Sequence, residues 1–136
     1  MINRVTKILF LLLITVSVAY AGLTFEFFTG KTNAEGILIE WKTGDESGTV
    51  KFEVERSAST PNSFIFVKSI TANGSNSYYS FQDNGVDFQN KSGSVYYYRL
   101  KCITANGSYS YTNSITVVHT VSGIKNTWGS IKAIFR

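Results

Sequence analysis

A few carboxylates, one thiol and one imidazole are the groups in this chain that could do chemistry, and their spacing narrows what that chemistry is. Asp83-Asn84-Gly85-Val86-Asp87, with Asn90 following, strings several oxygen donors along a polar stretch. Oxygen donors of this kind are what a calcium ion takes, which makes Asp83, Asp87 and Asn90 the candidate metal ligands. The same residue types also build ordinary turns. Glu53 and Glu55 share one face of an alternating run, and Arg99 and Lys101 share one face of another. Carboxylates side by side on a solvent-facing ladder do not flank a scissile bond from opposite sides, as glycoside hydrolysis requires. Cross-strand pairing, at about 0.2–1 kcal/mol per pair, accounts for them. His119 is the single histidine, which removes H-E-x-x-H and every site that needs two imidazoles. There is no G-x-S-x-G, no phosphate-cradling loop and no dinucleotide fingerprint. The reading is of a chain with no catalytic set and no cofactor.

The elements that hold these residues are short alternating runs about ten residues apart, separated by Gly, Asn and Ser. That pattern predicts an all-β sandwich or barrel. Leu23, Phe25 and Phe27 alternate with polar residues, and so do Ile37, Ile39 and Trp41. Val50, Phe52 and Val54 oppose Lys51, Glu53 and Glu55, so a one-residue slip would bury three charges. Phe64 to Ile70 predicts a fourth strand with no readable phase, and Tyr79 and Phe81 mark a fifth. Val95 to Thr104 predicts a sixth, with Tyr96, Tyr98, Leu100 and Cys102 on one face. Tyr109 to His119 predicts a seventh, whose surest inward residues are Ile115 and Val117. Asp83 to Ser94 is the longest irregular stretch. The string ITANGS occurs at residues 70–75 and again at 103–108, and Asn-Gly in both copies reads as two hairpins with the same turn chemistry.

Residues 1–21 read as an export signal. Arg4 and Lys7 precede an uncharged apolar run from Ile8 to Tyr20, too short for a stable bilayer span. Ala19 and Ala21 fit a cleavage site, with an uncleaved anchor as the alternative. Cleavage gives a secreted, cell-surface or periplasmic chain starting at Gly22. Residues 22–121 then hold eight bases against nine acids, which gives no footprint for nucleic acid. Cys102, the only cysteine, has no intrachain partner, so the aromatic-rich core must hold the domain unaided.

Several segments together resemble a known family. Ile39-Glu40-Trp41-Lys42-Thr43, Asp45-Glu46 and Phe52-Glu53-Val54-Glu55-Arg56-Ser57 are similar to the L-x-W-x-T, E and F-x-V-E-R-S signature of bacterial fibronectin type III-like domains. Such domains occur on exported proteins of Bacteroidota and their relatives. Phe64, Tyr79-x-Phe81-x-Asp83, Tyr97-Tyr98-Arg99-Leu100-Lys101 and Asn106-Gly107-Ser108-Tyr109-Ser110 continue the match in order. The resemblance implies a seven-stranded immunoglobulin-like β-sandwich with Trp41 in its core, Tyr96 as the tyrosine-corner residue and Cys102 as a buried, reduced thiol. It also implies a spacer, adhesive or partner-binding role with no activity of the domain's own. In that phylum such domains often precede a type IX secretion sorting domain, and here a short tail is expected in that place.

Two features then offer contact surfaces. Tyr97, Tyr78 and one of Phe64 or Phe66 are expected on the outside, where sugar rings could stack on them; the β-propensity of aromatic residues also explains them. Residues 122–136 form a basic, aromatic tail in which Trp128, Ile131 and Ile134 or Phe135 recur at helical spacing, with Lys132 and Arg136 on the other side. Trp128, Ile131, Lys132, Phe135 and Arg136 are therefore interaction candidates. Docking on the domain itself, a sorting, anchoring or assembly role, and binding at a membrane interface are the three readings of that tail. The expected partners are a protein or envelope component, with a polysaccharide as the alternative.

Overall fold

The computed structural model describes residues 22–86 and 93–119. The signal segment, the tail, Asp87 and Asn90 lie outside the described residues. Eight strands follow one another: β1 (Phe25–Asn33), β2 (Gly36–Thr43), β3 (Thr49–Ala58), β4 (Ile65–Thr71), β5 (Tyr78–Asp83), β6 (Ser94–Thr104), β7 (Tyr109–Tyr111) and β8 (Ile115–His119). They make two antiparallel sheets. The smaller runs β1-β2-β5; the larger runs β4-β3-β6, with β7 and β8 both pairing the far edge of β6.

The core is the set of facing side chains. Ile37, Ile39, Trp41 and Tyr79 from the smaller sheet meet Phe52, Val54, Tyr96, Tyr98, Leu100, Cys102 and Val117 from the larger. Trp41 stacks on Tyr79 with ring centroids 5.1 Å apart, and Phe52 abuts both edge-on. The alternation of β2 and β6 is the one their sequences dictate, and it places Trp41 and Cys102 in the interior.

Three expectations fail, each because the chain inserts or shifts a residue. β1 carries a bulge between Phe25 and Phe27, so Phe28 turns inward and Phe27 outward. β3 is irregular against β6 between Thr49 and Lys51, which leaves Val50 on the outside, while Phe52 and Val54 are fully buried. The expected seventh strand is two. Lys101 pairs with Tyr111, yet Tyr98 pairs with Ile115, one residue more than a regular ladder allows. At this break the Thr112 hydroxyl accepts the Leu100 N–H at 2.9 Å in place of a backbone carbonyl. The strand total is therefore eight among the described residues, and the extra residue reverses the phase. Tyr109 and Tyr111 face out, while Ile115 and Val117 face in.

The two ITANGS copies also part ways. The second closes the β6–β7 hairpin, with the Gly107 N–H donating to the Thr104 carbonyl and φ of 87° at Gly107. The first is no hairpin: it carries the chain from β4 in the larger sheet to β5 in the smaller one. Opposite it along the sandwich, β1 and β8 approach closely at Gly30, where a Cβ would lie 2.7 Å from Val117 Cγ2.

Candidate functional site

Among the described residues, two acids are taken up by the fold, Asp83 and Glu46. Asp83, at the end of β5, is 2% exposed and points between the sheets. Its Oδ2 accepts the Arg56 guanidinium from β3 at 2.5 Å and the Tyr98 hydroxyl from β6 at 2.7 Å. Its Oδ1 accepts the Gly85 N–H at 3.0 Å. Of the three candidate calcium ligands, Asp83 is thus already paired with a positive charge from Arg56, and Asp87 and Asn90 lie outside the described residues. Burial and the Asp83 carboxylate together push the Tyr98 phenol well above the ordinary tyrosine range. Burial works against the Arg56 charge, and Asp83 more than restores it, so the guanidinium titrates above its ordinary value. Among the described residues, no three His, Cys, Asp or Glu side chains gather as metal ligands.

The second buried acid, Glu46, closes the other end of the sandwich. Its Oε1 accepts the Thr43 hydroxyl at 2.9 Å and the Tyr79 hydroxyl at 2.5 Å; its Oε2 accepts the Gly74 N–H at 3.0 Å. Gly74 sits at φ 100° within the first ITANGS copy, so this carboxylate organises the crossing loop. Thr43, Glu46 and Tyr79 make one knot, and Arg56, Asp83 and Tyr98 the other. All six are positions that the sequence resemblance singled out.

What the molecule offers outward is aromatic. On the outer face of the larger sheet, Arg99 Cζ lies 4.1 Å from the centre of the Phe64 ring and 3.9 Å from that of Tyr111. The Arg99 Nε donates to Glu55 Oε1 at 2.7 Å, fixing the guanidinium between the rings. Next along, Lys101 Nζ sits 4.4 Å over the Tyr109 ring, and Tyr109 meets Tyr111 edge-on at 5.5 Å. Tyr109 is 59% exposed and Tyr111 44%. Each cation–ring contact at such an exposed site contributes about 0.5–1 kcal/mol, a bias toward this arrangement of the rings. Glu53 pairs with Lys51 at 3.8 Å rather than with Lys101, its cross-strand neighbour.

The expected external aromatics are partly found. Tyr78 is 52% exposed and Phe66 is exposed, but Tyr97 and Phe64 are half-buried. Tyr78 lies on the smaller sheet beside Phe27, ring centroids 6.3 Å apart, and its hydroxyl donates to Glu40. That hydrogen bond, with Lys31 behind it, holds the Glu40 carboxyl below the usual range. Tyr109 and Tyr111 escaped the sequence reading because their alternation with Ile115 and Val117 pointed them inward. The polar triplet Thr112-Asn113-Ser114, interrupting an otherwise apolar-alternating run, was the available sign of the break.

Concavities also open on the surface, one of about 340 Å³ beside Arg56, Ile65, Val86 and Tyr96. Where β7 and β8 part, a groove of about 540 Å³ opens between β1 and β7, lined by Leu23, Phe25, Phe28, Tyr111, Ile115 and Cys102, with hydroxyl and amide groups from residues 110–114. A smaller hollow of about 230 Å³ continues it past Ser47 and Thr49, sharing Leu23 and Cys102. Cys102 forms the floor of both, is 2% exposed, and its thiol is pushed up to about 12 by burial.

No family model matches the chain, and no curated protein matches it. Among solved structures it is similar to pectate lyase PelI from Erwinia chrysanthemi, crystallised in complex with tetragalacturonic acid, at 18% identity and a TM-score of 0.48. The likeness covers 71% of this chain and 28% of that one. At that level it bears on neither activity nor ligand.

Proposed function

We propose that this chain is an exported, non-catalytic interaction module of fibronectin type III character, acting at the cell surface through the outer face of its larger sheet. The observation that carries the reading is the ordered strip Phe64–Arg99–Tyr111–Tyr109–Lys101, set against carboxylates that are engaged inside the fold. General acid–base chemistry needs a titratable group within reach of a substrate proton, and neither Asp83 nor Glu46 faces outward. Exposed Tyr and Arg side by side are the residues on which protein contacts concentrate their energy. The strand order, with a three-stranded sheet facing a larger one, supports the fibronectin-like reading, and the leader-like residues 1–21 support export.

A polysaccharide is the second reading, favoured by the exposed Tyr78–Phe27 and Tyr109–Tyr111 pairs, whose rings and hydroxyls suit sugar faces and edges. One experiment addresses both. Purified chain from Gly22 to Arg136 is incubated with envelope protein extract and, separately, with a polysaccharide panel, alongside a Tyr109→Ala/Tyr111→Ala double variant. Capture of envelope protein that the double variant loses supports the module. Capture of polysaccharide alone transfers the function to the second reading, and identical capture by both proteins removes the strip from either.

A further inference from the structure

We propose that the groove between β1 and β7 is the docking site for this chain's own residues 128–135, which return from the end of β8 and cover Cys102.

The groove has the character of an unfinished interior. Leu23, Phe25, Phe28 and Ile115 are half-buried along it, and among the described residues no charged side chain lines it. Its volume, about 540 Å³, is of the size that accepts a few large side chains, within the roughly 300–1,000 Å³ of protein binding pockets. It lies where the chain breaks from the ladder at Thr112, next to the close approach of β1 and β8 at Gly30.

The length of the following chain suits it. His119 pairs with Ser94, and the groove floor, Cys102, lies eight residues further along β6. At about 3.3 Å per residue that is roughly 26 Å. Residues 120–127 are eight in number. With a reversal beyond His119 they still cover the roughly four-residue distance back to Ile115, so Trp128 enters the groove at that end and the following residues run on toward Cys102. Trp128, Ile131, Ile134 and Phe135 then supply the apolar side chains that the half-buried lining lacks. Asp45, beside the mouth through its backbone bonds with Thr24, has no ion-pair partner among the described residues. Lys132 and Arg136 bring positive charge to that end. A tethered segment also needs little affinity, because its local concentration is set by a short linker.

The groove shares Tyr111 with the aromatic strip, but the test leaves that residue unchanged and uses no partner. The probe is N-ethylmaleimide, reacting with the single thiol of the folded chain from Gly22 to Arg136. A Trp128→Ser/Ile131→Ser variant is expected to alkylate Cys102 about tenfold or more faster, with unchanged thermal unfolding, as local rather than global opening requires. Equal rates overturn the proposal. Acrylamide quenching gives a second reading. With Trp41 fully buried, quenching reports on Trp128, which should be protected severalfold relative to free tryptophan. A freely quenched Trp128 overturns docking. Protection that grows with protein concentration and accompanies a dimer in light scattering places the segment on a second copy and overturns the intramolecular form.

Discussion

The Arg56 guanidinium of the larger sheet meets the Asp83 carboxylate of the smaller sheet at 2.5 Å, and the Tyr98 hydroxyl completes the contact. An ion pair between sheets fixes their relative register as well as their spacing, because each partner has one position in which its charge is answered. Breaking such a pair by removing one side leaves a buried charge unanswered, at about 3–5 kcal/mol. Asp83→Ala is therefore expected to lose about that much in urea unfolding. Tyr98→Phe, which removes one hydrogen bond to a charged group, should lose about 1.5–3 kcal/mol. Because Arg56 holds the place a cation would take, millimolar calcium or EDTA should leave the melting temperature unchanged; a calcium-dependent rise would contradict this arrangement.

Glu46 does the corresponding work at the other end without a cation. Three neutral donors from Thr43, Tyr79 and Gly74 converge on it. Glu46→Ala strands all three in a buried site, and at about 1–3 kcal/mol for each unsatisfied group the loss should exceed 2 kcal/mol. Faster amide exchange at Gly74, with exchange on β8 little altered, would locate the damage in the crossing loop. Uniformly faster exchange would instead show that Glu46 supports the whole sandwich.

How much of this was legible depends on where the chain keeps its period. β2 and β6 alternate without interruption, so Ile37, Ile39, Trp41, Tyr98, Leu100 and Cys102 were readable as core from spacing alone. β1, β3 and the last strand each shift by one residue. Periodicity has no memory across a bulge, so Phe27, Val50, Tyr109 and Tyr111 were placed on the wrong side or left unplaced. The buried acids were legible as signature positions, but their partners sit far away in sequence, Arg56 to Asp83 and Glu46 to Tyr79, and only folding brings them together. The phase correction has its own check. Val50→Lys should change stability by no more than about 0.5 kcal/mol, as exposed positions do, whereas Leu100→Ala should lose about 2–5 kcal/mol.

Stability should fall in alkali. Burial raises the Cys102 thiol from 9.0 to about 12, and burial also raises the Tyr98 and Tyr79 phenols. In each case the folded state holds its proton more tightly than the unfolded chain. The unfolded chain therefore binds fewer protons once pH passes the ordinary thiol value, and unfolding becomes more favourable as pH rises. The contribution is intact below about pH 9 and is lost toward pH 12, at up to about 1.4 kcal/mol per pH unit from Cys102 alone. Urea titrations at pH 8, 9.5 and 11 should show this decline, and Cys102→Ala should flatten the part of it that begins near pH 9. A decline of the same slope in the variant would assign it to the tyrosines.

The outer strip makes the sharpest distinction between holding the fold and meeting a partner. Tyr109 and Tyr111 touch Lys101, Arg99 and each other on the outer face of the larger sheet. Replacing both with alanine removes two exposed cation–ring contacts and one ring pair, a cost of about 1–3 kcal/mol. A partner that seats on the same rings loses far more, since buried tyrosines at interface centres are worth 2 kcal/mol or more each. Binding should thus fall by over a hundredfold while the double variant still unfolds cooperatively. Arg99→Lys separates the parts further. It keeps the charge but loses the planar fork that lies between Phe64 and Tyr111 and bonds Glu55. If the ordered guanidinium is what aligns the rings, Arg99→Lys should weaken binding by about tenfold with both tyrosines in place. If affinity is unchanged, the rings act alone and Arg99 serves only the sheet.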